Sequence, residues 1–82
     1  MAQVEIHFVG GQSARTNVEM AALKNGGYFD ETEPSEIVRA LRDYVERALN
    51  APARPHWVWI GEIYVFSQAV SGVVPIGLEG TG

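Results

Sequence analysis

The chain is 82 residues long, sets ten acidic side chains against six basic ones for a net charge of −4, and contains no cysteine. That length allows one domain, and a chain so short buries only about 60% of the surface it exposes when unfolded. Disulfides and thiolate zinc sites are excluded, so packing or self-association has to supply the missing stability.

Val4, Ile6 and Phe8 alternate with Glu5 and His7, the period of a strand with one buried face. Gly10-Gly11 predicts a two-residue hairpin turn, with Gln12 to Arg15 returning as a more polar strand. Thr16-Asn17-Val18-Glu19 has the form of a capping box, which predicts a short helix over Val18 to Lys24. Asn25-Gly26-Gly27 supplies the break that ends it. From Gly27 to Glu33 the chain is acidic and aperiodic, a surface loop pinned by Tyr28 and Phe29.

Pro34 suits the first turn of a helix, and Glu33 and Glu36 complement its positive end. Ile37, Val38, Leu41, Val45, Ala48 and Leu49 then recur at helical spacing, which predicts the main helix. Arg39, Arg42, Asp43, Glu46 and Arg47 fall on its other face, with Arg42 and Glu46 spaced for an ion pair worth ~0.3 kcal/mol. Asn50, Pro52 and Pro55 end the helix.

The most informative stretch runs from Trp57 to Phe66. Gly61-Glu62 between two runs of β-formers is the signal of a type II′ hairpin. A two-residue loop fixes the register, opposing Ile60 to Ile63, Trp59 to Tyr64, Val58 to Val65 and Trp57 to Phe66. One face is then aliphatic, from Val58, Ile60, Ile63 and Val65, and the other aromatic, from Trp57, Trp59, Tyr64 and Phe66. Ser67-Gln68 predicts a turn, and Val70 to Ile76 a last strand in which Pro75 argues for an edge or an end. Residues 1–76 are thus expected as a single α+β domain and residues 77–82 as a flexible glycine-rich tail. Its elements follow the order β-β-α-α-β-β-β, with the main helix on a small, mostly antiparallel sheet.

A sheet apolar on both faces has to cover both. Either the short helix and the aromatic loop shelter the rings within one chain, or Trp57, Trp59, Tyr64 and Phe66 form an interface, where tryptophan and tyrosine are enriched, or, as a third reading, they line a ligand pocket.

Chemistry-bearing motifs are few. His7 belongs to the polar face of the first strand and His56 follows a proline at a strand entrance, and neither has ligand spacing with another histidine. The acidic run from Asp30 to Glu36 lacks the twelve-residue calcium loop with its central glycine. No serine sits in a nucleophile elbow, and the glycines after the first strand match no phosphate-binding fingerprint. No catalytic residue, metal or cofactor is therefore assigned, and a small enzyme would need a site shared between subunits, with His7 or His56 the first residues to test. Arg39, Arg42 and Arg47, with Arg54, are the only basic stripe that could touch nucleic acid, but acids interleave with them and the net charge is negative.

Residues 55–76 carry a single charge, Glu62, yet glycine, serine, glutamine and proline interrupt the run, which argues against a membrane span. No basic, apolar leader opens the chain, so the cytoplasm is the expected compartment. The layout of hairpin, helix and aromatic hairpin resembles short accessory proteins of phages and mobile elements. The expected function is a non-enzymatic interaction module, an assembly component or protein inhibitor, that self-associates as a homo-oligomer or meets a protein partner. A nucleic-acid-binding regulator using Arg39, Arg42 and Arg47 is the alternative.

Overall fold

The computed structural model describes residues 1–50 and 56–78. Strands β1 (Ala2–Phe8) and β2 (Ser13–Val18) precede helices α1 (Met20–Lys24) and α2 (Pro34–Asn50). Strands β3 (Trp57–Ile60) and β4 (Ile63–Phe66) follow, and a 3₁₀ turn, Ser67–Ala69, leads into β5 (Val70–Leu78). The α+β class and the element order are those read from the sequence, and every strand pair is antiparallel. The strands divide into a three-stranded sheet, β2-β1-β5, and a separate two-stranded ribbon, β3-β4, rather than forming one sheet.

Alternation explains β1. Ala2, Val4 and Ile6 are fully buried while Gln3, Glu5 and His7 face the other way, so one side of the strand packs and the other is polar. Against the buried side lies α2, whose Ile37, Ala40, Leu41 and Val45 form the inward stripe expected from helical spacing. The helix runs over β5 and β1 and has β3 at its flank. Ile60 and Val65 from the ribbon, Val18 from β2, and Leu23 and Phe29 from the α1 region complete the same core.

Several local expectations give way to pairing. The first hairpin closes with Phe8 N–H donating to the Gln12 carbonyl at 2.7 Å, leaving Val9, Gly10 and Gly11 as a three-residue loop instead of a two-residue turn. Thr16-Asn17-Val18 is not a helix cap but the end of β2, opposite Val4, Gln3 and Ala2. Glu19 precedes α1 without a side-chain capping bond, and the helix starts at Met20, two residues later than predicted. A capping box offers two local hydrogen bonds, whereas the strand offers a full ladder to β1 and burial of Thr16 and Val18. The longer-range gain wins.

On α2, Arg42 does not pair with Glu46; the ion pairs are Glu36 with Arg39 at 2.9 Å and Asp43 with Arg47 at 3.2 Å. In the acidic loop Phe29 is buried, but Tyr28 is 93% exposed and pins nothing. Strand β5 lies at a sheet edge, as Pro75 implies, and shifts register beside that proline. It also outruns its expected end: Gly77 and Leu78, placed in the tail by composition, pair with Gln3 and Ala2. Residues 79–82 of that expected tail, and Pro52, Arg54 and Pro55, lie outside the described residues.

Candidate functional site: an exposed aromatic ladder

The ribbon has the register read from its sequence, with Trp57 opposite Phe66, Val58 opposite Val65, Trp59 opposite Tyr64 and Ile60 opposite Ile63. Gly61 turns the chain at φ 58°, and Glu62 does not adopt positive φ, which fits the II′ turn. In such a ribbon the pair that closes the turn exchanges hydrogen bonds and the next pair does not. The alternation persists to the base, where Ser67 N–H donates to the His56 carbonyl at 2.8 Å. Trp59 with Tyr64, and Trp57 with Phe66, therefore occupy the closely spaced pairs without hydrogen bonds, where side chains approach most nearly.

Both ends of the ribbon are fastened to the body. At the turn, the Thr16 hydroxyl donates to the Ile60 carbonyl at 3.1 Å and accepts from Glu62 N–H at 2.8 Å. Gly61 N–H donates to the Tyr44 hydroxyl at 3.2 Å, and a Cβ on Gly61 would run into the Asn17 carbonyl. Glycine is thus required twice, for its backbone angle and for the close approach. At the base, His56 Nε2 lies 3.2 Å from the Ala48 carbonyl at the end of α2, and His56 N–H donates to the Ser67 hydroxyl at 3.2 Å. His56 is in this way a clip between helix and ribbon. Among the sequence signals, only the turn glycine pointed to these anchors; Thr16 was hidden by its resemblance to a cap, and Tyr44 and Ser67 carry no local motif.

The fastening turns the aliphatic side inward and leaves the aromatic side out. Ile60 and Val65 are buried, whereas Trp57 is 57%, Trp59 62% and Tyr64 53% exposed, with Phe66 half-buried. Neither α1 nor the aromatic loop covers them, because Leu23 and Phe29 serve the core beside α2. The rings form one continuous ladder. Trp59 and Tyr64 have centroids 4.9 Å apart, Tyr64 stacks on Trp57 at 5.5 Å and 21°, and Trp57 meets Phe66 at 5.4 Å. At about 200 Å² per aromatic side chain, the exposed part amounts to about 400 Å². That matches the largest apolar patch of a typical monomer, which is commonly a functional surface.

The remaining predicted residues are not brought together. Arg39, Arg42 and Arg47 lie along the exposed side of α2, but Glu36 and Asp43 neutralise the outer two. Glu36 in turn raises the affinity of the Arg39 guanidinium for its proton. His7 sits on the outer face of the three-stranded sheet with its Nε2 2.9 Å from Glu5, whereas His56 bonds to the end of α2. The His7 hydrogen bond outweighs an opposing effect of desolvation and, with a further contribution from Arg15, holds the Glu5 carboxyl below the usual range. Asp30 is likewise lowered, by the Thr32 hydroxyl and amide that it accepts from. Among the described residues no group of three histidine, aspartate or glutamate side chains is placed to hold a metal ion. Nor, among them, is any helix long and apolar enough to cross a membrane.

Compared with known protein families, curated proteins and solved structures, the chain matches none.

Proposed function

We propose that the protein is a non-enzymatic interaction module whose aromatic ladder packs against the ladder of a second copy. The observation that carries this reading is a run of four contiguous rings, three of them more than half exposed, on a ribbon whose other face packs on the core. A ring ladder of this kind is already ordered by its own stacking, so docking forfeits little side-chain entropy. Residues 55–76 hold only Glu62, and it sits in the turn, so two such faces meet without opposing like charges. A twofold contact between identical patches is the commonest way for a soluble chain to associate.

The setting proposed is the cytoplasm, with the module acting as an assembly component or as an inhibitor of another protein, as among the accessory proteins of phages and mobile elements that its layout resembles. A nucleic-acid regulator is the weaker reading, because two of the three helix arginines are engaged by acids and the chain carries net negative charge. The test is Trp59→Glu, which places a charge at the turn end of the ladder, on its most exposed ring. It should lower the native mass in light scattering while the far-ultraviolet helix signal persists; an unchanged mass would overturn the reading.

A further inference from the structure

A face of about 400 Å² per chain is half of the roughly 800 Å² that each partner contributes to a standard stable interface. Something must enlarge it, and the edges of the strands show what can. A strand edge is a row of unpaired N–H and C=O groups that proteins protect with charge, proline, bulges or a covering element. Strand β5 carries Pro75 and two register shifts, β2 presents exposed Arg15, and β3 has α2 beside it. Strand β4, Ile63-Tyr64-Val65-Phe66, carries no charge, proline or bulge, and no other strand pairs with its outer edge among the described residues.

The hydrogen-bond alternation of the ribbon aims the main-chain N–H and C=O groups of Tyr64 and Phe66 away from β3. Among the described residues those groups meet no other strand, and the Phe66 carbonyl accepts from Ala69 N–H at the start of the 3₁₀ turn. An identical β4 laid antiparallel about Val65 would set Tyr64 against Phe66 of the second copy, and Phe66 against Tyr64. In each such pair Phe66 N–H can donate to the Tyr64 carbonyl, and Tyr64 N–H can donate to the second lone pair of the Phe66 carbonyl, so the edge is complementary to itself. Opposed residues in a sheet point to the same side, so both sets of rings would share one face of a four-stranded sheet.

Resting on the self-association reading above, we propose that two copies first join edge to edge through β4, forming one eight-ring face of about 800 Å², and that two such faces then pack together. The assembly is therefore a tetramer with two different contacts, a strand edge and an aromatic face, in the common dihedral arrangement.

Phe66 allows the two contacts to be separated. Its φ of −83° is close to the angle that proline imposes, and its N–H is not used within the ribbon. Phe66→Pro therefore removes the edge donor, and Phe66→Ala removes the ring while keeping that donor. Native mass at micromolar concentration should be four times the chain's 9.0 kDa for the unmodified protein and for Phe66→Ala. It should fall to two chains for Trp59→Glu, which keeps the edge, and to two or one for Phe66→Pro. Equal masses for Phe66→Pro and Phe66→Ala would overturn edge pairing while leaving the aromatic contact standing. A Trp59→Glu protein that keeps the full mass would overturn the aromatic contact, and a monomeric unmodified protein would overturn both. Should Phe66→Pro fail to fold, amide exchange decides: the Tyr64 and Phe66 amides of the unmodified protein should exchange at least about tenfold faster once dilution yields single chains. No change in their exchange would overturn the edge contact.

Discussion

The two hairpins of this molecule bury one side each and finish the other side in opposite ways. On β1 and β2 the outward residues serve one another: Gln3 donates to Asn17 at 3.1 Å, and Glu5 receives His7 at 2.9 Å and Arg15 at 3.4 Å. On β3 and β4 the outward residues are Trp57, Trp59, Tyr64 and Phe66, which stack on one another, and all but the half-buried Phe66 remain largely in water. A polar face satisfied within the chain gains little from a partner. An aromatic face still holds the free energy of its unburied area, at about 25 cal/mol per Å², and can release it only by being covered. The difference separates the surface that completes the fold from the surface that remains for association.

The contrast depends on the ribbon being held with its rings outward, and its anchors can be broken one at a time. Gly61→Ala should have the largest effect, a loss of about 2–3 kcal/mol in urea unfolding, since the added carbon meets the Asn17 carbonyl at a strained backbone angle. A neutral result would mean that the turn is not seated on β2. Thr16→Val keeps the shape but strips the hydroxyl from the Ile60 carbonyl and the Glu62 amide, so a loss of about 1–2 kcal/mol is expected in the same measurement.

Trp57→Ala sharpens the comparison from the other side. Because the ring is mostly exposed, unfolding of the dilute single chain should weaken by only about 1 kcal/mol, chiefly from lost stacking. A loss of 3 kcal/mol or more, of the order seen when buried aromatic residues are truncated, would place the ring in the core. The smallest effect belongs to the polar face. Glu5 titrates below its ordinary value in the folded chain, so its contribution is present above the unfolded carboxylate value and is lost as pH falls through the folded one. Glu5→Gln should therefore show a slightly smaller drop in midpoint temperature than the unmodified protein between neutral and acid pH, and a larger drop would reverse the assigned sign.

Where sequence alone was sufficient, the controlling physics was local. Gly61 between two β-forming runs dictates a turn, a two-residue turn dictates register, and register decides which side chains share a face, so the ladder is legible residue by residue. Helix α2 is equally legible, because Pro34 and the stripe from Ile37 to Val45 satisfy the same period over several turns. The first hairpin was not. Thr16 and Glu19 carry the pattern of a cap, and only the ladder to β1, together with the bonds of Thr16 to a ribbon turn 44 and 46 residues distant along the chain, decides for a strand. The separation of the ribbon from the main sheet was hidden for the same reason, since which strand pairs with which is set by packing on α2. The ladder's exposure also had to come from the fold, as composition could place the rings together but not determine what lies over them.

Trp57 and Trp59 are the only two tryptophans in the chain, so intrinsic fluorescence reports on the ladder alone. Emission followed through a dilution series is the most direct test of whether these rings are covered in the working protein. Emission should be blue-shifted at high concentration and move to the red as the assembly separates into single chains. Emission of fully hydrated indoles at every concentration would contradict this.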